Sequence, residues 1–252
     1  MAKLKFFDCN CSVGRVAYPF LPNISDAAGL RREMDTAGIE EALVFHTMAR
    51  DTDPQTGNSR LHEEIATDPG LHPVWVVLPH HTGEISKPEK LLKEMKEKDV
   101  KAVRIYPMRD YHSFSTSEWN AGELLSALED ACVPLMIDAE IMSWDSVQTI
   151  LKNHPRLPVI GTNVSYRHNR FLYPLFEQFE NLYIELSRFY AAGVIEDVTE
   201  RFGPERILFG TNMPQCTGST SVSMLTYADV SHEAKEKIAG GTLRTLLKEA
   251  LL

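Results

Sequence analysis

Phe6-Phe7-Asp8-Cys9-Asn10-Cys11-Ser12-Val13-Gly14 is the stretch on which the fold turns. Two aromatic residues open a short apolar strand, the strand runs out into polar residues, and a glycine ends it. Its counterpart lies near the other end of the chain, Ile207-Leu208-Phe209-Gly210-Thr211-Asn212-Met213-Pro214. Two such strands, so far apart in sequence, suit a closed barrel whose first and last strands meet.

Between them, apolar runs alternate with helical patterns. Ser25-Asp26 caps a helix that carries Leu30, Met34 and Ala37 on one face and ends at Gly38. Further strands are expected at 41–46, 72–79, 101–107, 133–140, 157–163, 181–187 and 206–212. Helices are expected through Leu61 and Ile65, through Leu91 and Met95, and over 122–132, 144–153, 171–179 and 192–202. Residues 51–57 read as a polar loop. Two short helices close the chain, one near 232–238 and one through Leu243, Leu246 and Leu247. The strands are continuous apolar runs, as when both faces of a sheet are buried, and no hairpin signal separates them. This predicts an α/β protein with a single domain over residues 1–252, a (β/α)8 TIM barrel. An open doubly wound sheet is the competing reading. It usually carries a glycine-rich phosphate loop after its first strand, and Ser12-Val13-Gly14-Arg15 has one glycine.

Composition bounds the function. A length of 252 residues matches one such barrel, and 43% hydrophobic content can fill its core. A net charge of −9 leaves no basic face for nucleic acid. No apolar run approaches the length of about 18 residues that a membrane span needs. Met1 to Lys5 carries no apolar segment of the signal-peptide kind, so no signal peptide is expected. Cys9, Cys11, Cys132 and Cys216 form neither a disulfide framework nor a paired zinc pattern, which fits a reducing, cytoplasmic setting. A homodimer is the assembly that acidic barrels of this size often form.

The active site of such a barrel lies at the C-terminal ends of its strands. The polar tips there are Asp8, Asn10 and Ser12; His46; His80; Arg104 and Tyr106; Asp138 and Glu140; Asn163; Glu185 and Ser187; and Asn212. Strand alternation turns Asp8, Asn10 and Ser12 to the mouth and sends Cys9 and Cys11 into the helix layer. Asp138 and His46 are the candidate general bases. Arg104 suits a carboxylate or phosphate, or pairs with Asp138 or Glu185 across the barrel. Tyr106 lines the same wall. Glu140, two residues beyond Asp138, shares its facing. Asn10, Ser12, His80, Asn163 and Asn212 complete the expected binding surface.

The opening Phe7-Asp8-x-Asn10-x-Ser12-x-Gly14 resembles the Asp-x-His-x-His start of the amidohydrolase superfamily. Met34-Asp35-x-x-Gly38-Ile39, Ala102-Val103-Arg104-Ile105-Tyr106-Pro107, Val133-Pro134-Leu135, Asn181-Leu182-Tyr183-Ile184 and Glu200-Arg201-Phe202-Gly203-x-Glu205-Arg206-Ile207-Leu208-Phe209-Gly210-Thr211 resemble its amidohydrolase-related (amidohydrolase 2-like) branch. That branch holds small-molecule hydrolases, lactonases and decarboxylases. The resemblance implies a barrel like those of the metal-dependent hydrolases, and the chain departs from it at the metal. Where the family's first strand offers two histidines to a divalent ion, this chain has Asn10 and Ser12. Asp138 and Asn163 stand where histidines end the fifth and sixth strands, and Asn212 stands for the aspartate of the last.

Neutral amide and hydroxyl oxygens bind catalytic zinc poorly, so no metal cofactor is expected. A divalent metal held by oxygen ligands, with charge from Asp8, Asp138 or Glu140, stays open. Three functions follow from the resemblance and its departures. The first is a metal-independent hydrolase, lactonase- or amidase-like, of a small carboxylated compound. There Arg104 holds the anion, Asp138 or His46 activates water, and Asn10, Asn163 and Asn212 bond the polarised carbonyl. The second is a pseudoenzyme that binds a small ligand or a protein partner. The third is a carboxy-lyase, against which Asn212 counts. The expected partner is a small anionic molecule, with no nucleic acid and no membrane.

Overall fold

A computed structural model describes residues 4–16 and 24–252. Residues 1–3, part of the stretch that bears on a signal peptide, lie outside the described residues. Eight parallel strands run in sequence order around the barrel: β1 Phe6–Val13, β2 Ile39–His46, β3 Leu71–Val76, β4 Ala102–Arg104, β5 Leu135–Asp138, β6 Val159–Thr162, β7 Leu182–Glu185 and β8 Ile207–Leu208. The two quoted stretches meet, as expected. Cys9 N–H donates to Phe209 O at 2.9 Å and Ser12 N–H to Met213 O at 2.9 Å. The Asp8 carboxylate adds a side-chain seam, accepting from Thr211 N at 3.1 Å and from the Thr211 hydroxyl. This closure rules out the open sheet.

The helices are α1 Ala27–Ala37, α2 Thr47–Asp51, α3 Pro54–Ile65, α4 Pro88–Glu97, α5 Glu118–Asp130, α6 Trp144–Asn153, α7 Asn169–Gln178, α8 Val194–Phe202, α9 Gly218–Tyr227, α10 His232–Glu236 and α11 Thr242–Glu249. Asp26 caps α1 by accepting from Gly29 N, and Gly38 ends it with φ 74°. Among the described residues, no helix is long and apolar enough to cross a membrane.

Strand alternation sorts the apolar residues into two layers. Ala42, Val44, Val103, Leu135, Ile137, Val159 and Ile184 pack outward against the helices. Phe7, Leu43, Phe45, Val74, Val76, Ala102, Met136, Ile160 and Leu208 fill the barrel itself. Leu243, Leu246 and Leu247 of α11 join this inner cluster beside Phe7 and Leu43, so the last helix closes the N-terminal end of the barrel. Chemistry is left to the other end.

Four expectations need correction. First, Cys9 belongs to the inner cluster and Cys11 to the outer one, so the two cysteines do not share a face. The pairing of β1 with β2 slips between Asp8 and Cys11, a bulge that breaks the alternation. Second, the polar stretch 51–57 is not a loop. Asp53 accepts from Gln55 N and Thr56 N as an N-cap, and Pro54 opens α3. Third, α9 was not expected, because Gly218-Ser219-Thr220-Ser221-Val222-Ser223 is made of weak helix formers. Fourth, β5 ends at Asp138, so Glu140 lies beyond the strand and does not share its facing.

Candidate functional site

One step of alternation above the inner apolar layer, the side chains become polar. Ala102 is followed two residues on by Arg104, Met136 by Asp138, Ile160 by Thr162, Tyr183 by Glu185 and Leu208 by Gly210. β1 adds Asn10. The inner wall of the barrel thus changes from oil to charge within one residue spacing, at the end where active sites of this fold lie.

The centre of this layer is a relay of three buried side chains. Arg104 Nη2 donates to Asn10 Oδ1 at 2.8 Å, and Asn10 Nδ2 donates to Glu185 Oε1 at 3.1 Å. Arg104 Nη2 also donates to Thr162 Oγ1 at 3.0 Å. The guanidinium lies 4.5 Å from the centre of the Phe45 ring. Arg104 is only 4% exposed, and among the described residues it forms no ion pair. Of the two readings of Arg104 in the sequence, an anion anchor or a partner of Asp138 or Glu185, the pairing does not form: a neutral amide stands between Arg104 and Glu185.

Glu185 is fully buried. Its Oε1 accepts from Asn10, from Asn163 N at 2.8 Å and from Ser187 Oγ at 2.6 Å, and its Oε2 accepts from Ser187 N at 2.5 Å. Burial pushes its carboxyl up from the ordinary range, and the bonds from Ser187 and Asn163 pull it back. Gly210 makes room for it. A Cβ at Gly210 would lie 2.9 Å from both Cβ and Cδ of Glu185. Asp8 is likewise pushed up by burial and drawn back by Thr211 and Asn10.

Asn163 and Asn212 both adopt left-handed backbone, with φ 56° and 58°. Asparagine tolerates this conformation better than most residues, which gives both positions a backbone reason for their identity. The turn lets Asn163 present its N–H to Glu185 and its Nδ2 to Asp138 Oδ2 at 2.8 Å. Asn163 Oδ1 is buried without a hydrogen-bond partner. Asp138, half-buried, takes Glu140 N on Oδ1 at 2.9 Å and forms no ion pair among the described residues. Glu140 turns away to Arg188, 2.8 Å from its Oε1. The Asn212 side chain lies against Cys216.

The remaining candidates divide. Tyr106 is buried in the inner cluster near Phe45, their ring centres 6.0 Å apart, and burial raises its hydroxyl pKa. Tyr111 continues the aromatic wall, and the Arg50 guanidinium, forked onto Asp51, sits about equally far from all three rings. Ser12 is buried opposite Phe45. His46 is not brought to this layer. Its Nδ1 accepts from Met48 N at 3.0 Å, capping α2, and its Nε2 meets Glu64 Oε1 at 3.2 Å. His80 lies against His81, their tilted rings 4.4 Å apart at the centres, and faces Glu123 on α5. Sequence reasoning did not select Thr162 or Phe45, and it placed Glu185 at the mouth without a binding or catalytic role. Counting two residues on from each inner apolar residue finds Thr162 and Glu185.

A family model described as Amidohydrolase matches residues 13–248. No curated protein matches the chain. Solved structures match along almost its whole length. The 2,6-dihydroxybenzoate decarboxylase from Rhizobium shares 14% identity at a TM-score of 0.74, covering 98% of this chain and 99% of that one. An amidohydrolase 2 from Bifidobacterium longum subsp. infantis shares 15% identity at 0.69, covering 98% and 99%. A dihydroxybenzoic acid decarboxylase from Polaromonas sp. JS666, with bound manganese and the inhibitor 2-nitroresorcinol, shares 14% identity at 0.68, covering 98% and 97%.

Asn10 and Glu185, at the centre of this layer, do not fit such an ion. Among the described residues, no group of three or more His, Cys, Asp or Glu is placed to hold a metal. Asn10, the counterpart of a ligand in the resembling motif, has both ends of its amide engaged, one of them by a cation. Glu185 spends its lone pairs on four donors.

Proposed function

The chain belongs to the amidohydrolase family, and on that premise we propose that it is a small-molecule hydrolase, lactonase- or amidase-like, which acts on a carboxylated compound without a catalytic metal. The observation that carries the reading is Arg104, a guanidinium buried to 4% exposure whose bonds go to neutral partners. A buried charge is stabilised by a counter-charge, and a ligand carboxylate supplies one in the two-pronged geometry that arginine favours.

Asp138 is the group that carries the proton. It stands one strand from Arg104 and is half-open, and each oxygen has an acceptor position left after one hydrogen bond. It takes a proton from the attacking water and returns it to the leaving group. His46 is dropped from this role, since both its ring nitrogens are engaged. Asn10 and Asn163 are dropped as donors to the carbonyl because their amide nitrogens are engaged, which leaves Asn212, and the Tyr106 hydroxyl is a further donor. The partner is a small anionic molecule, and the four unpaired cysteines suit a cytoplasmic setting.

A second reading is a carboxy-lyase of an aromatic acid. Phe45, Tyr106 and Tyr111 favour it, because they set an aromatic wall beside Arg104. Screening lactones, amides and aromatic acids separates the two. Hydrolysis unaffected by chelators, lost in Asp138→Asn, supports the first. Release of carbon dioxide without hydrolysis supports the second. Turnover that Arg104→Gln leaves unchanged sinks both.

A further inference from the structure

Among the described residues, the mouth holds a buried guanidinium and a carboxylate that pair with no opposite charge, and an amide oxygen that accepts nothing. Arg104 offers donors without an ion-pair partner. At the ends of the next two strands, and among the described residues, the Asp138 carboxylate also has no ion-pair partner, and the Oδ1 of Asn163, whose amide it holds, is buried without a hydrogen bond. The Asn163 amide does not turn over to relieve this. Turning it would set Oδ1 against Asp138 Oδ2, two acceptors face to face. A buried acceptor left unpaired destabilises the protein, and it calls for a donor from outside the chain.

We propose that the ligand is dipolar: a small amino carboxylate whose carboxylate meets Arg104 and whose amino nitrogen donates to both Asp138 and Asn163 Oδ1. The inference rests on the carboxylate-binding reading of the site and adds a second charge to it. Two acceptors on neighbouring side chains need two hydrogens. An amino or ammonium nitrogen carries at least two, whereas a hydroxyl carries one. The nitrogen takes the acceptor position on Asp138 Oδ2, next to Asn163, and leaves Oδ1 for water. A monoanion with an apolar tail satisfies Arg104 but leaves Asp138 without a counter-charge and Asn163 Oδ1 without a donor. A site built around such groups rejects the analogue that lacks the donor.

The test is direct binding, by titration calorimetry, of three ladders of matched length. They are the ω-amino acids from glycine to 6-aminohexanoate, the unbranched carboxylic acids of equal chain length, and the ω-hydroxy acids. At one or two lengths, the amino acid is expected to bind at least about tenfold tighter than both counterparts, the scale of one added charged hydrogen bond. Asp138→Asn should remove that advantage and leave the plain carboxylate within about threefold. Arg104→Gln should weaken all three ladders, and Arg104→Lys, which keeps the charge, should weaken them less. Thermal melting of each variant shows that it is folded. Plain carboxylates or hydroxy acids that bind as tightly as the amino acids at every length overturn the dipolar ligand and leave the carboxylate reading standing. If no ladder binds, the carboxylate reading falls and takes this inference with it.

Discussion

Replacing Asn10 by alanine cuts the relay between two buried charges. Arg104 loses its 2.8 Å bond to Oδ1 and keeps Thr162. Glu185 loses its 3.1 Å bond from Nδ2 and keeps Ser187 and Asn163. Hydrogen bonds to charged groups contribute about 1.5–3 kcal/mol each. Water entering the small space left behind recovers part of this, so the lower figure applies to both bonds, and the loss is about 3 kcal/mol. In a chain of this size each 1 kcal/mol shifts the thermal midpoint by about 2–4 °C, so a drop of roughly 6–12 °C is expected. Urea unfolding followed by tryptophan fluorescence should show a lower midpoint at unchanged slope. Ser12→Ala is the control. That residue is buried on the same strand without the relay's charge contacts, and it should lose less than about 1 kcal/mol. If Asn10→Ala matches the control, the amide is not what joins Arg104 to Glu185.

Asp138→Asn should lower kcat by about 10²–10⁴-fold, the usual contribution of a general base, with the binding of a plain carboxylate nearly unchanged. Equal losses in kcat and binding would point to a holding role instead. Gly210→Ala drives a methyl into the Glu185 carboxylate, against Oε2 and 2.9 Å from Cβ and Cδ, and should cost about 1–3 kcal/mol by overpacking, read as a lower urea midpoint, and weaken ligand binding. Wild-type stability and affinity in that variant would mean that Glu185 has room to move. Glu41 is held below its ordinary range: burial raises it, but Arg244 and His72 lower it further. Its contribution is therefore present above the unfolded value near 4.5 and lost as the pH falls through the lower folded value. The melting difference between wild type and Glu41→Gln should shrink below pH ~4.5. A difference that grows on acidification reverses the sign of the argument.

The barrel could be read from the sequence because its strands are buried on both faces, which leaves apolar runs such as Leu135-Met136-Ile137 that helical patterns separate. Their ends could not. A polar tip looks like more strand, so Glu140 was placed on β5 although the strand stops at Asp138. Asp53-Pro54 is ambiguous in the same way. The pair marks a turn, and it also marks the cap and first residue of a helix, which it proves to be.

At the mouth, local spacing put Arg104 and Asp138 at the ends of their strands, where the structure has them, since each ends an inward-facing alternation. It misplaced Cys9, because a bulge leaves no mark in the residues that form it. Nothing local in the sequence places Glu64 beside His46, where it meets the ring Nε2. The resemblance reads Asn10, Asn163 and Asn212 as substitutions at a metal centre. In the structure, Asn10 joins a buried guanidinium to a buried carboxylate, and the other two asparagines serve left-handed turns.

The central claim is that Arg104, not a divalent metal, supplies the positive charge at this mouth. Elemental analysis of protein purified without chelators tests it most directly. The account predicts well under one zinc, manganese or iron per chain, and the same ligand affinity before and after chelation. Near one tightly bound divalent ion per chain, lost in Asp138→Asn and with ligand binding lost alongside it, would contradict the account.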